Sequence, residues 1–208
     1  MIAIPELGWA FDDALRHRLA ANLSLHAPVA LSDADAHAAA VGVVLIGDDV
    51  GRACFVLTRR AASLRRHSGQ WALPGGRLDQ GEAAVDAARR EVFEEVGVNL
   101  SADSVLGRLD DFLTRSRHLI EPFVFWADSA AELRINPHEV AAAYRVPLEQ
   151  LNQADNPRRQ PLLHFQLEVP GTTVYAPTAA ILYQFRELAL HGRHIRVSDE
   201  EQPRFAWR

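Results

Sequence analysis

A helix with a high concentration of acidic residues follows a Pro-Gly-Gly turn in the middle of the chain. The stretch GGRLDQGEAAVDAARREVFEEVGV runs from Gly75 to Val98. Within it, apolar residues recur at steps of three and four, which predicts a helix over Gly81 to Val96 with one apolar face. That face is formed by Val85, Ala88, Val92 and Val96. Gly97 follows as a C-cap and gives the helix a defined end. The apolar face requires a core on which to pack.

The acidic residues of this helix are close enough to repel one another. Glu91 and Glu95 are four residues apart and share a face, and Glu94 lies three residues from Glu91. Arg90 precedes Glu94 by four residues and can orient a carboxylate. The spacing alone leaves two interpretations open: a solvated helix face, or carboxylates that bind a hard divalent cation such as Mg²⁺ beside phosphate oxygens. The glycine turn favours the second, because it lets the backbone approach the same point.

The segments around this helix predict a mixed sheet with helices packed on its faces. Two apolar strands joined by DDVGR form a predicted hairpin, and QWALPGG contains a short strand that stops at Pro-Gly-Gly. The pattern lacks regular βαβ alternation, which favours a mixed α/β arrangement. The predicted strands lie in AAVGVVLIG, ACFVLTRR, QWALPGG, SVLGRLDDFLT, LIEPFVFWAD, EVAAAYRVPLEQL and PLLHFQLEV, and the other predicted helices in LGWAFDDALRHRLAANL and PTAAILYQFRELALHG.

Composition limits the classes of protein to which this chain can belong. Its 208 residues are 48% hydrophobic, which is enough for one large domain with a true core. The net charge of −5 and the lack of an extended basic and aromatic tract argue against a nucleic-acid partner. No apolar run reaches membrane-spanning length and no signal-peptide pattern begins the chain, so we expect a cytoplasmic protein without a membrane partner. The single cysteine, Cys54, lies in an apolar run and is predicted to be buried.

The stretch from Gly76 to Val98 resembles the Nudix box. That box reads Gly, five residues, Glu, seven residues, Arg-Glu-aliphatic, one residue, Glu-Glu, one residue, and Gly-aliphatic. Its defined positions are all present here, as Gly76, Glu82, Arg90, Glu91, Val92, Glu94, Glu95, Gly97 and Val98. The resemblance implies a Nudix-type α/β/α sandwich with a mixed sheet, and a hydrolase that uses Mg²⁺ or Mn²⁺ to cleave a diphosphate.

The resemblance also implies a role for each box residue. Glu91 and Glu95 would bind the metal, and Glu94 would be a further metal ligand or would contribute to catalysis with them. Glu82 would pair with Arg90 and hold the helix, while Gly97 would serve the local structure.

Hydrolysis also needs a base that takes a proton from the attacking water. The resemblance leaves its position open, either in the box or on a later loop. Glu91 is the candidate within the box. Glu139, in NPHEVAAAYRVP, is the loop candidate, and Glu121, in HLIEPF, is a weaker one.

The segment before the box is rich in arginine and resembles the signature of the coenzyme A diphosphatase branch. It runs from Val56 to Arg77, and a solvated basic loop or a site for additional phosphate explains its charge equally well. Val56 replaces a leucine of the signature and Leu73 replaces a phenylalanine. The positions in register are Val56-Leu57-Thr58, Arg60, Ala61, Arg65, Gly69, Pro74-Gly75-Gly76 and Arg77.

This second resemblance implies cleavage of coenzyme A or acyl-CoA to 3′,5′-ADP and 4′-phosphopantetheine or its acyl form. Arg60 and Arg65 are the predicted substrate contacts, and Gly75, Gly76 and Arg77 complete the predicted binding site. Two alternatives stay open. One is a Nudix hydrolase of another nucleotide, such as ADP-ribose, NADH or an oxidised nucleoside triphosphate. The other is a non-catalytic nucleotide-sensing module, which the complete box disfavours.

The predicted organisation has three parts. A helical extension covers residues 1–37, a Nudix hydrolase domain covers 38–192, and an irregular tail covers 193–208. The first helix places Phe11, Leu15 and Leu19 on one side. The sequence leaves open whether that side packs on the core or forms a homodimer contact.

Overall fold

A computed structural model describes residues 9–62, 69–128 and 131–203 of the chain. The helices are α1 (Asp13–Ser24), α2 (Ala84–Val96) and α3 (Thr178–Phe185), the last continued by a π-helical segment over Arg186–Leu190. Short 3₁₀ turns cover Ala102–Ser104 and Leu148–Asn152. The strands are β1 (His37–Gly47), β2 (Ala53–Arg60), β3 (Trp71–Ala72), β4 (Gly75–Arg77), β5 (Val105–Arg108), β6 (Phe112–Leu113), β7 (His118–Trp126), β8 (Val140–Pro147), β9 (His164–Leu167) and β10 (Thr172–Tyr175).

The predicted mixed sheet is confirmed. In the described part of the chain, eight strands form one sheet, and β9 and β10 pair separately. β1 lies at its centre, antiparallel to β2 and β4 and parallel to β7. β2 also pairs with β3 and β8, and β7 also pairs with β5 and β6. The parallel pairing of β1 with β7 inside an otherwise antiparallel sheet makes the sheet mixed.

The two faces of the sheet bury different helices, as an α/β/α sandwich requires. Val43 and Leu45 of β1 point to the face covered by α1 and α3, while Val44 and Ile46 point to the face covered by α2. Successive side chains of a strand alternate between faces. A strand buried on both faces therefore reads as a continuous apolar run, which is the pattern of β1.

The first helix begins later than its periodicity predicts. The side chain of Asp12 accepts a hydrogen bond from the Leu15 amide at 2.8 Å and caps α1, so the helix starts at Asp13. Phe11 therefore lies outside it and stacks on Trp126, with ring centroids 4.0 Å apart. α1 packs on the core through Leu15, Leu19 and Leu23.

Two further local predictions are confirmed. The short strand in QWALPGG stops before Pro74, since β3 covers Trp71–Ala72, and Gly75–Arg77 then forms an additional strand, β4, that pairs with β1. Strand β10 was not predicted at all. Cys54 is buried, as its apolar surroundings predict. Among the described helices, none combines the length and the apolar character that a membrane span requires.

Candidate active site

Three carboxylates from two parts of the chain meet in the lining of a large cavity. Glu91 and Glu95 project from α2, and Glu139 immediately precedes β8. One carboxylate oxygen of each lies within 4.8 Å of the corresponding oxygens of the other two. All three donors are hard oxygen atoms, which Mg²⁺ and Mn²⁺ prefer and which softer metals do not. The donor set therefore fits the cation that the acidic helix predicts.

Glu139 reaches this point because its segment is hydrogen-bonded to the end of α2. The Asn136 amide donates to the Glu95 carbonyl at 3.0 Å, and the Asn136 side chain donates to Oε1 of Glu139 at 3.2 Å. The Glu139 carbonyl in turn accepts from the Ala61 amide at 2.8 Å. The sequence gives no signal for this role of Asn136, since a single asparagine next to a proline is also typical of an ordinary turn.

Burial strongly affects the protonation of the two helix carboxylates. Glu95 is only 2% exposed, and burial raises its pKa to about 8. Nη1 of Arg60 lies 3.5 Å from its Oε1, and the Gly75 amide donates to its Oε2 at 3.3 Å, which lowers that pKa only in part. Burial likewise raises the pKa of Glu91, against the opposing effect of Arg90. Burial thus disfavours the charged forms of both carboxylates, and a bound cation would stabilise them.

Arg90 connects the carboxylates with the turn before the helix. Its Nε and Nη2 atoms donate to the two carboxylate oxygens of Glu82, at 2.9 and 3.0 Å, in a forked geometry. Its Nη1 donates to Oε1 of Glu91 at 2.8 Å, and its Nη2 also donates to the carbonyl of Arg77 at 3.1 Å. The predicted pair of Glu82 and Arg90 is thus present, and one guanidinium orients both Glu91 and the end of β4.

Two other predicted acids lie away from the three carboxylates. Glu94 is exposed and accepts from Nη1 of Arg90 at 3.1 Å. Glu121 lies 3.0 Å from Nη2 of Arg108 and does not line the cavity in the described residues. Burial raises the pKa of Glu121, against the opposing charge of Arg108. The assignments of Glu94 as a metal ligand and of Glu121 as a base therefore gain no support from this geometry.

The paired glycines leave the space that the carboxylates occupy. A Cβ atom on Gly76 would lie 2.4 Å from the carboxylate carbon of Glu91. A Cβ atom on Gly75 would lie 2.3 Å from the carbonyl oxygen of Ala40 in the neighbouring strand. Gly97 ends α2 with a φ of 72°, a left-handed conformation that favours glycine.

The cavity behind the carboxylates has a volume of about 850 Å³, within the range typical of ligand pockets. Arg60, Gly75, Gly76 and Arg77 line it, as the sequence predicts for a substrate site, while Arg65 lies outside the described residues. Part of the cavity wall carries no signal in the sequence. It includes Trp71, Tyr175, Pro177 and Gln202, which belong to no motif.

The chain is similar to a known protein family and to individual known proteins. A family model described as "NUDIX domain" matches residues 36–166. "Nudix hydrolase 3" of Caenorhabditis elegans is 34% identical over 128 residues, which cover 60% of this chain and 53% of that protein. The "Uncharacterized Nudix hydrolase NudL" of Photorhabdus laumondii is 36% identical over 124 residues, covering 59% and 65% respectively. The chain thus matches less than two thirds of the length of either relative.

Solved structures show the same fold at lower sequence identity. The MutT protein from Methanosarcina mazei is 21% identical, with a TM-score of 0.52, and the match covers 74% of this chain and 97% of that one. The Nudix hydrolase RenU from M. smegmatis is also 21% identical, with a TM-score of 0.50 and coverage of 77% and 89%. At this identity the similarity concerns the fold alone.

Proposed function

This chain belongs to the NUDIX domain family, and we propose that it hydrolyses the diphosphate of coenzyme A or acyl-CoA with Mg²⁺ or Mn²⁺. The products would be 3′,5′-ADP and 4′-phosphopantetheine or its acyl form. The observation that carries the proposal is the meeting of Glu91, Glu95 and Glu139 in the lining of a large cavity. Carboxylates alone would repel a diphosphate, so the arrangement needs a cation between protein and substrate.

Glu91 and Glu95 would hold the cation, with Arg90 keeping Glu91 in place through its hydrogen bond. A bound Mg²⁺ or Mn²⁺ supplies positive charge that neutralises the diphosphate oxygens and makes water a stronger acid. The ion pair of Arg60 with Glu95 gives a guanidinium a fixed place at the cavity wall, where it would face the negatively charged substrate. Glu94 would support the site through Arg90, from the exposed side of α2.

Glu139 is the carboxylate that we assign as general base. Asn136 donates to its Oε1, and within the described residues Oε2 of Glu139 has no hydrogen-bond partner. Oε2 is thus the atom that would take the proton of the attacking water. Glu91 is less suited to this role, because its Oε1 already accepts a hydrogen bond from Arg90 and the residue would hold the cation.

The choice of coenzyme A rests on the arginine-rich signature before the box, together with the volume of the cavity. Several positions of that signature, Arg60, Gly69, Gly75, Gly76 and Arg77, line this cavity. About 850 Å³ accommodates the nucleotide end of such a substrate. The signature therefore lies where it can contact the group that distinguishes one diphosphate from another.

Product analysis tests the proposal. The purified chain would be incubated with Mg²⁺ or Mn²⁺ and equal concentrations of coenzyme A, acetyl-CoA, ADP-ribose, NADH and an oxidised nucleoside triphosphate. We expect 3′,5′-ADP to be released from coenzyme A or its acetyl form faster than any product from the others. Preferred cleavage of ADP-ribose or NADH would contradict the coenzyme A assignment. The absence of any hydrolysis across the panel would instead favour a nucleotide-binding module.

A further inference from the structure

The turn between β6 and β7 presents a preorganised set of polar side chains to the cavity. Residues 114–117 connect the two strands and His118 begins β7; within this turn Arg117 adopts a left-handed φ of 63°. The Thr114 amide donates to the His118 carbonyl at 2.8 Å, and the His118 amide donates to Oγ1 of Thr114, also at 2.8 Å. The turn is thus closed by the side chain of Thr114 as well as by the backbone.

The side chains of this turn form a continuous polar chain. Oγ of Ser116 lies 3.1 Å from Oγ1 of Thr114 and 3.2 Å from Nδ1 of His118. Nε2 of His118 lies 3.4 Å from Nη2 of Arg77, which comes from β4 on the other side of β1. All four side chains belong to residues that line the cavity. Two hydroxyls, an imidazole and a guanidinium are together a suitable donor set for phosphate oxygens.

The positive charge near this turn comes from the guanidinium of Arg77. In the described ranges, no carboxylate forms an ion pair with the guanidinium of Arg77. The neighbouring Arg117 behaves differently, since its guanidinium pairs with Asp33 and Asp35 on the surface. Of these two arginines, Arg77 is therefore the one available to an anion in the cavity.

The position of Arg77 relative to the carboxylates is set by the backbone. The Gly75 amide binds Glu95, and Arg77 follows two residues later on the same strand, a step of roughly 7 Å. Arg90 holds the Arg77 carbonyl with the same guanidinium that holds Glu91.

We infer that Arg77, Thr114, Ser116 and His118 form a subsite for a phosphate monoester on the ribose of the substrate. This inference rests on the proposed function and deepens it, because coenzyme A carries a 3′-phosphate that most other nucleoside diphosphate derivatives lack. Arg77 supplies charge, Ser116 and Thr114 supply hydroxyl donors, and His118 fixes the orientation of both Ser116 and the guanidinium. The subsite selects the substrate and leaves bond cleavage to the carboxylate end of the cavity.

The first test compares coenzyme A with 3′-dephospho-CoA in the wild type and in variants Arg77→Gln and Ser116→Ala. We expect the wild type to prefer coenzyme A in kcat/KM, and Arg77→Gln to reduce that preference by roughly 10- to 100-fold. Ser116→Ala should reduce it by a smaller factor. Arg77→Lys should restore part of the preference, because it keeps the charge but loses the forked geometry.

Arg117→Gln is the matched control, since it removes an arginine from the same turn that pairs with Asp33 and Asp35 instead. It should leave the ratio of the two efficiencies unchanged. Equal losses for both substrates in Arg77→Gln would assign this residue to the diphosphate and overturn the subsite. A wild-type ratio near one would overturn it as well, provided that coenzyme A is hydrolysed.

A calorimetric measurement separates this inference from the proposed function. The binding of 3′,5′-ADP and of 5′-AMP, each with Mg²⁺, needs no turnover. Tighter binding of 3′,5′-ADP that is lost in Arg77→Gln supports the subsite even if the chain fails to hydrolyse coenzyme A. Equal binding of the two nucleotides overturns the subsite even if coenzyme A is hydrolysed.

Discussion

Nη1 of Arg60 lies 3.5 Å from Oε1 of Glu95, a carboxylate that is almost fully buried beneath the cavity. A buried carboxylate without a nearby positive charge would lose its proton only at high pH. Arg60 and the Gly75 amide lower this pKa only in part, because burial still holds it at about 8. The residue that the signature assigns to substrate contact is also part of the electrostatics of the carboxylate cluster.

Replacing either helix ligand should abolish most of the activity. We expect Glu91→Gln and Glu95→Gln each to lower turnover by about 100-fold or more, because each removes a charged oxygen from the cation. Turnover at a series of Mg²⁺ concentrations measures the effect, and circular dichroism checks the fold. Asp86→Asn is the control, since Asp86 is an exposed acid on the same helix. Near wild-type turnover in both variants at low Mg²⁺ would contradict the assignment.

Kinetics can distinguish a general-base role of Glu139 from a role as a metal ligand. If Oε2 of Glu139 takes the proton of water, Glu139→Gln should lower kcat by roughly 10²- to 10⁴-fold without changing the Mg²⁺ concentration that gives half-maximal activity. A simple ligand would instead shift that concentration upward, and excess Mg²⁺ would restore the rate. An unchanged rate across pH would remove Glu139 from the mechanism.

The two glycines of the turn should respond differently to alanine. In Gly76→Ala the new methyl group meets the movable carboxylate of Glu91, so the unfolding free energy should fall by less than about 1 kcal/mol while activity falls by about 100-fold. In Gly75→Ala the methyl group meets the fixed backbone of β1, so stability itself should fall by about 1–3 kcal/mol. Urea denaturation and turnover measure both effects. Equal loss of stability in the two variants would refute this account.

A buried carboxylate remote from the cavity should make stability depend on pH. Burial would raise the pKa of Asp110, but hydrogen bonds from the Val29 amide, Arg196 and Gln184 outweigh burial and lower it. A lowered folded-state pKa gives stability that is complete above the ordinary pKa of aspartate. That stability is lost as the pH falls through the lowered folded-state value.

Asp110→Asn should therefore reduce the unfolding free energy by about 1–3 kcal/mol at pH 7, because it removes the charge and replaces one of the two acceptor oxygens with an amide group that cannot accept. The difference from wild type should shrink as the pH falls from about 5 towards 2. Urea denaturation across this range checks both statements, with exposed Asp199→Asn as the control. A difference that stays constant with pH would show that the charge of Asp110 contributes nothing.

The sequence by itself determined the acidic helix and the central strands. Val92 and Val96 recur with the period of a helix, and residues 38–47 of β1 and 53–57 of β2 are apolar, so local pattern and burial agree. The pair of Glu82 and Arg90 and the left-handed cap at Gly97 are also local features. Their partners lie within two or three turns of helix or in the adjoining loop, where short-range geometry decides contacts.

Only the tertiary structure decided which carboxylates meet. Glu94 is adjacent to Glu95 in the sequence but faces solvent, because neighbouring residues on a helix point about 100° apart. Glu139 joins the site although its own segment carries no distinctive pattern. Asn136 and the main chain of α2 bring it there through hydrogen bonds between distant residues.

The same reason explains the walls of the cavity. Among the described strands, the short strand of Tyr175 pairs only with β9. Ser116 and His118 belong to a turn whose shape depends on the pairing of β6 with β7. No periodicity marks such positions, because their neighbours are set by long-range packing. Spacing within α2 therefore predicted where acidic side chains concentrate, whereas the assembly of the sheet decided which residues surround them.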